Sequence, residues 1–328
     1  MKRNTRACIR NVLAVALALL FLCACQPQAE PSAAPEPSQT LPPTEAPTPL
    51  TETEPATRED GARQVELLGQ SFWLSPEGRI LEPDWTLDID TMHFSDFGKT
   101  FAESYPVKTD RYKLMEGTEY EITVYHIASD QEGPTVYLVA GIHGDENAGW
   151  YAGNLMREAS VSCGELYVLS PANVTGAAAH KRCLRDTQDL NRSFPGNPNG
   201  TDAQKVAWAI YSDIRDKQPV FVFDLHEAIV YREDRDFLGS NLIFSPNESL
   251  DIRMLVELQF ATEMGEVGGE PFSLNGPGPA GSINSTVSSQ LKILTLTVET
   301  FRGFPIEYRV NEQLEIIEFI LNYLGMRG

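Results

Sequence analysis

The chain is poor in cysteine, histidine and positive charge, and each shortage excludes a class of protein. Its 328 residues include 5 cysteines and 5 histidines, and 26 lysines and arginines stand against 46 acidic residues, for a formal net charge of −20. So few cysteines do not make a disulfide framework in a chain of this length. Excess negative charge repels the phosphate backbone, so nucleic acid is excluded as an expected partner.

Long apolar runs are also scarce. The N-terminal run Val12–Leu22 has 11 residues, too few to span a bilayer comfortably. It follows the basic residues Lys2 and Arg3 and precedes the letters LCAC, a segment that resembles a bacterial lipobox. This order predicts a lipoprotein signal peptide over residues 1–25, with Cys25 as the lipidated cysteine. The alternative is an ordinary cleaved signal peptide without lipid.

Removing this leader leaves Cys163 and Cys183, which we expect to be unpaired. Residues 26–60 hold nine of the 22 prolines and no aromatic residue, so this segment cannot bury enough apolar surface to fold. We therefore predict a disordered Pro/Thr/Glu-rich linker over 26–60. Residues 61–98 contain short apolar pieces broken by turn residues, which predicts a small β-rich addition.

Residues 99–328 alternate strand-like and helical segments. The predicted strands at 136–140, 166–171, 220–225 and 293–298 are apolar almost throughout, as is typical of strands that are buried on both faces. This pattern predicts an α/β domain with a central, largely parallel sheet that helices cover on both faces.

Polar side chains follow several of these strands at the point where each strand ends. His143 and Glu146 follow the first, His226 the third and Glu299 the fourth. Because ligands gather at the carboxyl ends of parallel strands, these residues are expected to share one site. Two histidines and a carboxylate suit catalytic Zn²⁺, and Glu299 is the candidate for moving a proton to and from water.

The long loop after the second strand contains DLNRSFPG, residues 189–196. An arginine guanidinium offers a planar pair of donors to a carboxylate, and a neighbouring asparagine adds another donor. Asn191 and Arg192 are therefore candidates for holding a substrate carboxylate.

Four motifs, GIHGDE, DLNRSFPG, DLHEA and TVETF, occur in this order between about residues 100 and 325. Together they resemble the zinc carboxypeptidase superfamily, and in particular its succinylglutamate desuccinylase/aspartoacylase branch. The resemblance implies a three-layer α/β/α sandwich around a mixed, mainly parallel sheet. It implies one zinc ion per chain, held by His143, Glu146 and His226, with Glu299 as general base and acid.

The same resemblance implies further roles. Asn191 and Arg192 would bind the free carboxylate of the substrate, and Asp189 would orient His143. An arginine before DLNR would stabilise the oxyanion; Arg182 and Arg185 both qualify, and spacing favours Arg185. A tyrosine facing the substrate is also expected, either Tyr231 or Tyr308.

These observations predict a zinc-dependent hydrolase that cleaves an amide bond next to a free carboxylate, as an N-acyl amino acid deacylase does. One alternative is a metallocarboxypeptidase that acts on peptides or cell-wall peptides. Another is a catalytically silent binding lipoprotein. In each case the leader predicts an extracytoplasmic protein, anchored by lipid to a bacterial membrane.

The lipid anchor is testable by metabolic labelling. Cells that express the full chain and are fed a radioactive fatty acid should label it, and Cys25→Ala should abolish the label because the acceptor thiol is lost. Equal labelling of both forms would exclude Cys25 as the lipidated residue.

Overall fold

The computed structural model gives the fold of the chain from residue 57 onward. The described residues are 57–58, 60–67, 70–76, 80–81, 93–97, 100–185, 188–228, 239–249, 251–269 and 271–327. They belong to one compact unit, Glu54–Gly328. The predicted signal peptide with Cys25, residues 26–56 of the predicted linker, and Tyr231 lie outside the described residues.

A small antiparallel sheet occupies the stretch where the sequence predicts a β-rich addition. Its strands, in spatial order, are β1 (Arg63–Leu67), β2 (Gln70–Leu74) and β3 (Ile80–Leu81). Whether this stretch is a separate addition, and where the linker ends, stay predictions.

The central sheet has eight strands. They are β4 (Val107–Leu114), β5 (Ile122–Ser129), β6 (Thr135–Ala140), β7 (Glu165–Leu169), β8 (Phe221–Ala228), β9 (Asn241–Phe244), β10 (Ser273–Asn275) and β11 (Leu294–Phe301). Their spatial order is β10-β9-β11-β8-β6-β7-β5-β4. The four inner strands β11, β8, β6 and β7 are mutually parallel, whereas β9 is antiparallel to β11 and β5 to both of its neighbours. The sheet is therefore mixed, with a parallel centre, as the sequence predicts.

The described residues form six α-helices, of which five lie between strands and the sixth follows the last strand. They are α1 (Asn147–Leu155), α2 (Val174–Ala178), α3 (Asp202–Lys217), α4 (Ile252–Glu263), α5 (Ile283–Thr286) and α6 (Ile306–Tyr323). Single 3₁₀ turns occur at Phe94–Phe97, Met156–Glu158 and Leu190–Arg192, and a π turn at Val287–Leu291. Helices α2 and α5 and strands β9 and β10 are each too short to show a periodic apolar pattern in the sequence.

Helix α3 is defined by a local capping motif at its start and is stabilised by packing against the sheet. The Thr201 side chain accepts from the Gln204 backbone N–H, and the Gln204 side chain accepts from the Thr201 N–H, which forms a capping box. Val206, Ile210 and Ile214 are fully buried against the sheet. Full burial of each side chain stabilises the fold by roughly 1.5–3 kcal/mol.

The two faces of the sheet carry separate apolar cores, which makes the fold a three-layer α/β/α sandwich. On one face α1, α4 and α6 contribute buried side chains to the same cluster as Leu138, Phe223 and Leu296 of the inner strands. On the other face α3 and α5 pack against Tyr137, Val139 and Val222. Because both faces are covered, the accessible ends of the inner strands are the places where polar side chains can meet a ligand.

Two simpler expectations concern the cysteines and the membrane. Cys163 and Cys183 are free thiols in the structure. Within the part of the chain that the structure describes, no helix combines the length and apolar character needed to cross a membrane.

Candidate metal and active site

The turn after β6 brings two polar side chains into the interior. Gly141 takes a positive φ of 71°, and a side chain there would meet Trp150 and Pro171 within 3 Å, so only glycine fits this tight exit from the strand. The chain then passes through His143 and reaches Glu146, which stands as the N-cap residue of α1. Both side chains are buried, with 3% of each residue exposed.

The Glu146 carboxylate lies between two histidine rings. His143 Nδ1 is 2.7 Å from Glu146 Oε1, and His226 Nδ1 is 2.6 Å from Glu146 Oε2. The ligand atoms of these three residues all lie within 4.8 Å of one another, so the group could hold a metal ion. Two imidazole nitrogens and a carboxylate oxygen are donors that a transition-metal ion prefers. The three predicted ligands are thus brought together, with the Nδ1 atoms facing the common point.

The opposite ring nitrogens are held by other groups. His143 Nε2 is 3.1 Å from Asp189 Oδ1, the position that the sequence assigns to Asp189. His226 Nε2 is 2.9 Å from Asp224 Oδ1 and 3.2 Å from the side-chain nitrogen of Asn191. A histidine that is anchored through one nitrogen presents the other in a fixed direction, as metal-binding histidines do.

Asp224 is a residue that the sequence analysis missed. It lies two residues before His226 on β8, so both side chains project from the same face of the strand. Its second oxygen accepts a hydrogen bond from Thr297 on β11 at 2.7 Å. The spacing D-x-H on an apolar strand is the signal that would have identified it, because a buried aspartate needs a partner.

Attraction between the histidine rings and the neighbouring carboxylates shifts the pKa values of this cluster. Burial alone lowers the pKa of His226, but Asp224 and Glu146 more than offset burial, and the pKa lies well above its usual value. Burial raises the pKa of Glu146, yet the two histidines overcome that effect and lower it well below the usual value. The pKa of Asp189 is lowered too, because the bond to His143 and the charge of Arg182 outweigh burial. The geometry therefore favours ionised carboxylates around the two rings.

Glu299 stands beside the ligand group at the same level of the sheet. In the parallel pairing of β11 with β8, Glu299 is the direct partner of His226. Burial raises its pKa to about 7; His226 opposes that rise, and Glu146 adds to it. Unlike its apolar neighbours on β11, Glu299 is partly exposed, and its side chain lines a cavity. A carboxyl in this position can exchange protons with a molecule bound in the cavity.

The cavity has a volume of about 290 Å³ and opens beside the ligand group. Its walls include the two ligands from the β6–α1 turn, the predicted carboxylate clamp Asn191 and Arg192, and Glu299. The remaining lining is mostly small or polar: Arg182, Glu227, Ala228, Asn241, Ile243, Gly278, Pro279, Ser282, Asn284 and Thr297. This size suits a small molecule or the end of a peptide.

The two candidate arginines occupy different places. Arg182 lines the cavity, donates to Glu146 Oε1 at 3.1 Å and donates to Asp189 Oδ2 at 3.2 Å. Arg185, which spacing favours, is not among the lining residues; its guanidinium pairs with Glu119 and lies 3.9 Å from Asp202. Spacing from DLNR does not separate the two arginines, because the chain folds back just after Arg185, where the Gln188 N–H donates to the Arg185 carbonyl.

Of the two candidate tyrosines, only Tyr308 is described. Its ring packs against Phe304, with ring centres 5.0 Å apart, and its hydroxyl lies against Gly269. Tyr308 is not among the residues that line the cavity. His126 and His180 also stay outside the ligand group: His126 stacks on Tyr167, and His180 contacts Asn147.

Helix α6 supports the site from behind. Gln313 donates to the backbone carbonyl of His226 at 2.8 Å, and Arg309 forms a buried ion pair with Glu227. Glu227 also accepts the backbone N–H of Ala148 at 2.9 Å, which ties β8 to the first turn of α1. Through these bonds α6 fixes the end of the strand that carries His226. The sequence predicts this helix only as a core element.

Comparison with known proteins places these features in context. Residues 132–241 match the model of the Succinylglutamate desuccinylase/Aspartoacylase catalytic domain. The matched residues include the three ligands and the DLNR segment, and they end before Glu299.

A curated relative is the N-alpha-acetyl-L-2,4-diaminobutyric acid deacetylase of Halomonas elongata. It is 34% identical over 102 residues, which are 30% of this chain and 29% of the relative. The match thus spans less than a third of the relative's length.

Solved structures extend the likeness over most of the domain. A succinylglutamate desuccinylase from Silicibacter sp. TM1040 superposes with a TM-score of 0.52 and 20% identity, over 68% of each chain. A succinylglutamate desuccinylase/aspartoacylase from Rhodobacter sphaeroides gives a TM-score of 0.50 and 22% identity, over 75% of this chain and 70% of the other. At these identities the likeness shows a shared fold.

Proposed function

We propose that the chain is a zinc-dependent hydrolase that cleaves an amide bond next to a free carboxylate, because residues 132–241 match the model of the succinylglutamate desuccinylase/aspartoacylase catalytic domain. The substrate class is small N-acyl amino acids. The observation that supports this most directly is one cavity beside the His143–Glu146–His226 group. It is lined by two members of that group, His143 and Glu146, and by Glu299, Arg182 and Arg192.

In this proposal His143, Glu146 and His226 hold one Zn²⁺ ion. The donor set, its burial and the anchored opposite nitrogens of both rings fit such an ion. Bound zinc supplies Lewis acidity toward the amide carbonyl and lowers the pKa of water.

The chain's own residues perform the remaining steps. Asn191 and Arg192 hold the substrate carboxylate, which places the amide carbon beside the ligand group. Glu299 takes a proton from the attacking water on its carboxylate oxygen and delivers it to the leaving nitrogen. Arg182 stabilises negative charge on the carbonyl oxygen, since its guanidinium already lies 3.1 Å from Glu146 Oε1. This role falls to Arg182 in place of Arg185.

The proposal also keeps the extracytoplasmic location and the lipid anchor at Cys25. Its support is the sequence of the leader, with the basic start, the apolar run and LCAC.

The role of Glu299 is tested by Glu299→Gln, which keeps the shape of the side chain and removes its basicity. We expect turnover of N-acyl amino acids to fall by about 10²–10⁴-fold with zinc content unchanged. Steady-state kinetics and metal analysis measure the two quantities. The control is Glu132→Gln, an exposed glutamate at the opposite end of β6.

Three results would contradict parts of this proposal. Full activity of Glu299→Gln would exclude Glu299 as the base. Hydrolysis of peptides but not of acyl amino acids by the parent would assign the site to a metallocarboxypeptidase. Stoichiometric zinc without turnover on either panel would point to a binding protein.

The choice between the two arginines is tested by a matched pair of substitutions. Arg182→Met should lower kcat by about 100-fold, because one donor to the developing oxyanion is lost. Arg185→Met should leave kcat within about twofold, because the contacts it removes, to Glu119, Asp202 and the Tyr120 ring, lie outside the cavity. The reverse order of effects would restore the role to Arg185.

A further inference from the structure

Helix α4 leaves a row of large apolar side chains in contact with solvent. Ile252 is 66% exposed, Val256 44%, Phe260 61% and Met264, the C-cap residue just after the helix, 72%. Among the described residues, two other large apolar side chains, Val220 and Leu274, are comparably exposed. The row recurs every four residues, so it lies along one side of the helix. Exposed apolar side chains that gather on one side of a helix form a candidate interaction surface.

The exposure is not a sign of a loosely attached helix. The other side of α4 packs Met254, Leu255 and Leu258 into the core that it shares with α6. Asp251 caps the helix by accepting the backbone N–H of Met254 at 3.1 Å, and Gln259 donates to the carbonyl of Phe272 at 2.7 Å. The outer side of α4 is therefore a fixed surface.

Two charges of opposite sign lie at the ends of this surface. Arg253 and Glu263 are both exposed, and with Val256 and Phe260 they form the series 253, 256, 260 and 263. Spacing of three, four and three residues is the seam along which two helices pack with their axes nearly aligned. The series reads apolar in the middle, positive at one end and negative at the other.

This seam is complementary to itself when it is reversed. If a second α4 lies antiparallel across it, Val256 meets Phe260 of the second copy and Arg253 meets Glu263 of the second copy. The same two contacts recur on the other side of the two-fold axis, with Ile252 and Met264 flanking them. A symmetric dimer requires such a surface, in which one patch matches its own copy.

We propose that α4 is the contact surface of a two-fold symmetric dimer of this chain, formed by antiparallel packing of α4 against α4 of a second copy. This inference does not depend on the proposed activity, because none of the residues that line the cavity belongs to α4.

Charge argues for a second copy and against a lipid surface. Helices that lie on membranes carry lysine and arginine on their polar side. The polar side chains next to the apolar row are mainly acidic, Glu257, Glu263 and Glu266, with Arg253 already bound to Glu257 at 2.7 Å. An acidic surround repels anionic lipid, whereas a second copy brings a positive charge to Glu263, because Arg253 of that copy then lies between its own Glu257 and Glu263 of the first copy.

The first test measures the mass of the full chain in mild detergent by sedimentation across the micromolar range. One helix pair buries less than a standard interface, so we expect a dimer with a Kd on the order of 10 µM. Phe260→Asp should raise that Kd at least tenfold without altering the circular dichroism spectrum. Val220→Asp, the same change at an exposed apolar residue outside α4, should leave the Kd unchanged.

The second test exchanges the charges. Arg253→Glu alone and Glu263→Arg alone should each weaken the dimer at least tenfold, and the double variant should restore it. Within one helix residues 253 and 263 stand roughly 15 Å apart along the axis, too far for direct contact. Restoration in the double variant therefore reports contact between two copies.

Several outcomes would overturn the proposal. The first is a parent chain that stays monomeric at every concentration, and the second is a dimer that persists with an unchanged Kd in Phe260→Asp. A double charge variant that dimerises no more tightly than the single variants would also overturn it. Binding of the monomer to lipid vesicles that is lost in Phe260→Asp would overturn it in favour of a membrane contact.

Discussion

The site depends on one buried carboxylate. Glu146 lies among apolar elements at the start of α1, and a charge in that position is costly unless other charges meet it. His143, in the turn after β6, meets one oxygen, and His226, on β8, meets the other. Removing Glu146 would leave both histidine rings buried without this partner, and removing either histidine would leave one oxygen of the Glu146 carboxylate without its ring. The end of β6, the end of β8 and the first turn of α1 must therefore keep their relative positions, and the cavity forms beside them.

The surrounding residues hold this arrangement from two sides. Asp189 and Asp224 contact the outer nitrogens of the two rings, and both are supplied by segments that carry other functional groups, the DLNR turn and β8. From behind, α6 bonds to the backbone of His226 and neutralises Glu227. The parallel pairing of β8 and β11 then fixes Glu299 opposite His226. The position of Glu299 next to the ligand group is thus set by strand pairing and not by a loop.

Much of the fold and of the candidate site could be predicted from the sequence, because a polar residue such as His or Glu after an apolar run indicates where a buried strand ends. The positions of the ligands and of Glu299 follow from that rule, and the sandwich follows from helices alternating with strands. Arg182 could not be chosen over Arg185, since the path of a polar loop leaves no periodic signal. The contact between α6 and the site could not be predicted either, because Gln313 donates to the backbone carbonyl of His226, and a backbone contact requires no particular residue type at the acceptor. The outward row on α4 was overlooked because exposure cannot be inferred from an apolar pattern alone.

The claim at the centre of this account is that His143, Glu146 and His226 form one metal site. X-ray absorption at the zinc edge, on the full chain loaded with one equivalent of Zn²⁺, tests it most directly. The account predicts a first shell of nitrogen and oxygen at about 2.0–2.2 Å, with imidazole scattering that weakens in His226→Ala. A sulfur shell at about 2.3 Å would contradict it, as would a spectrum unchanged by His226→Ala or a chain that retains no zinc.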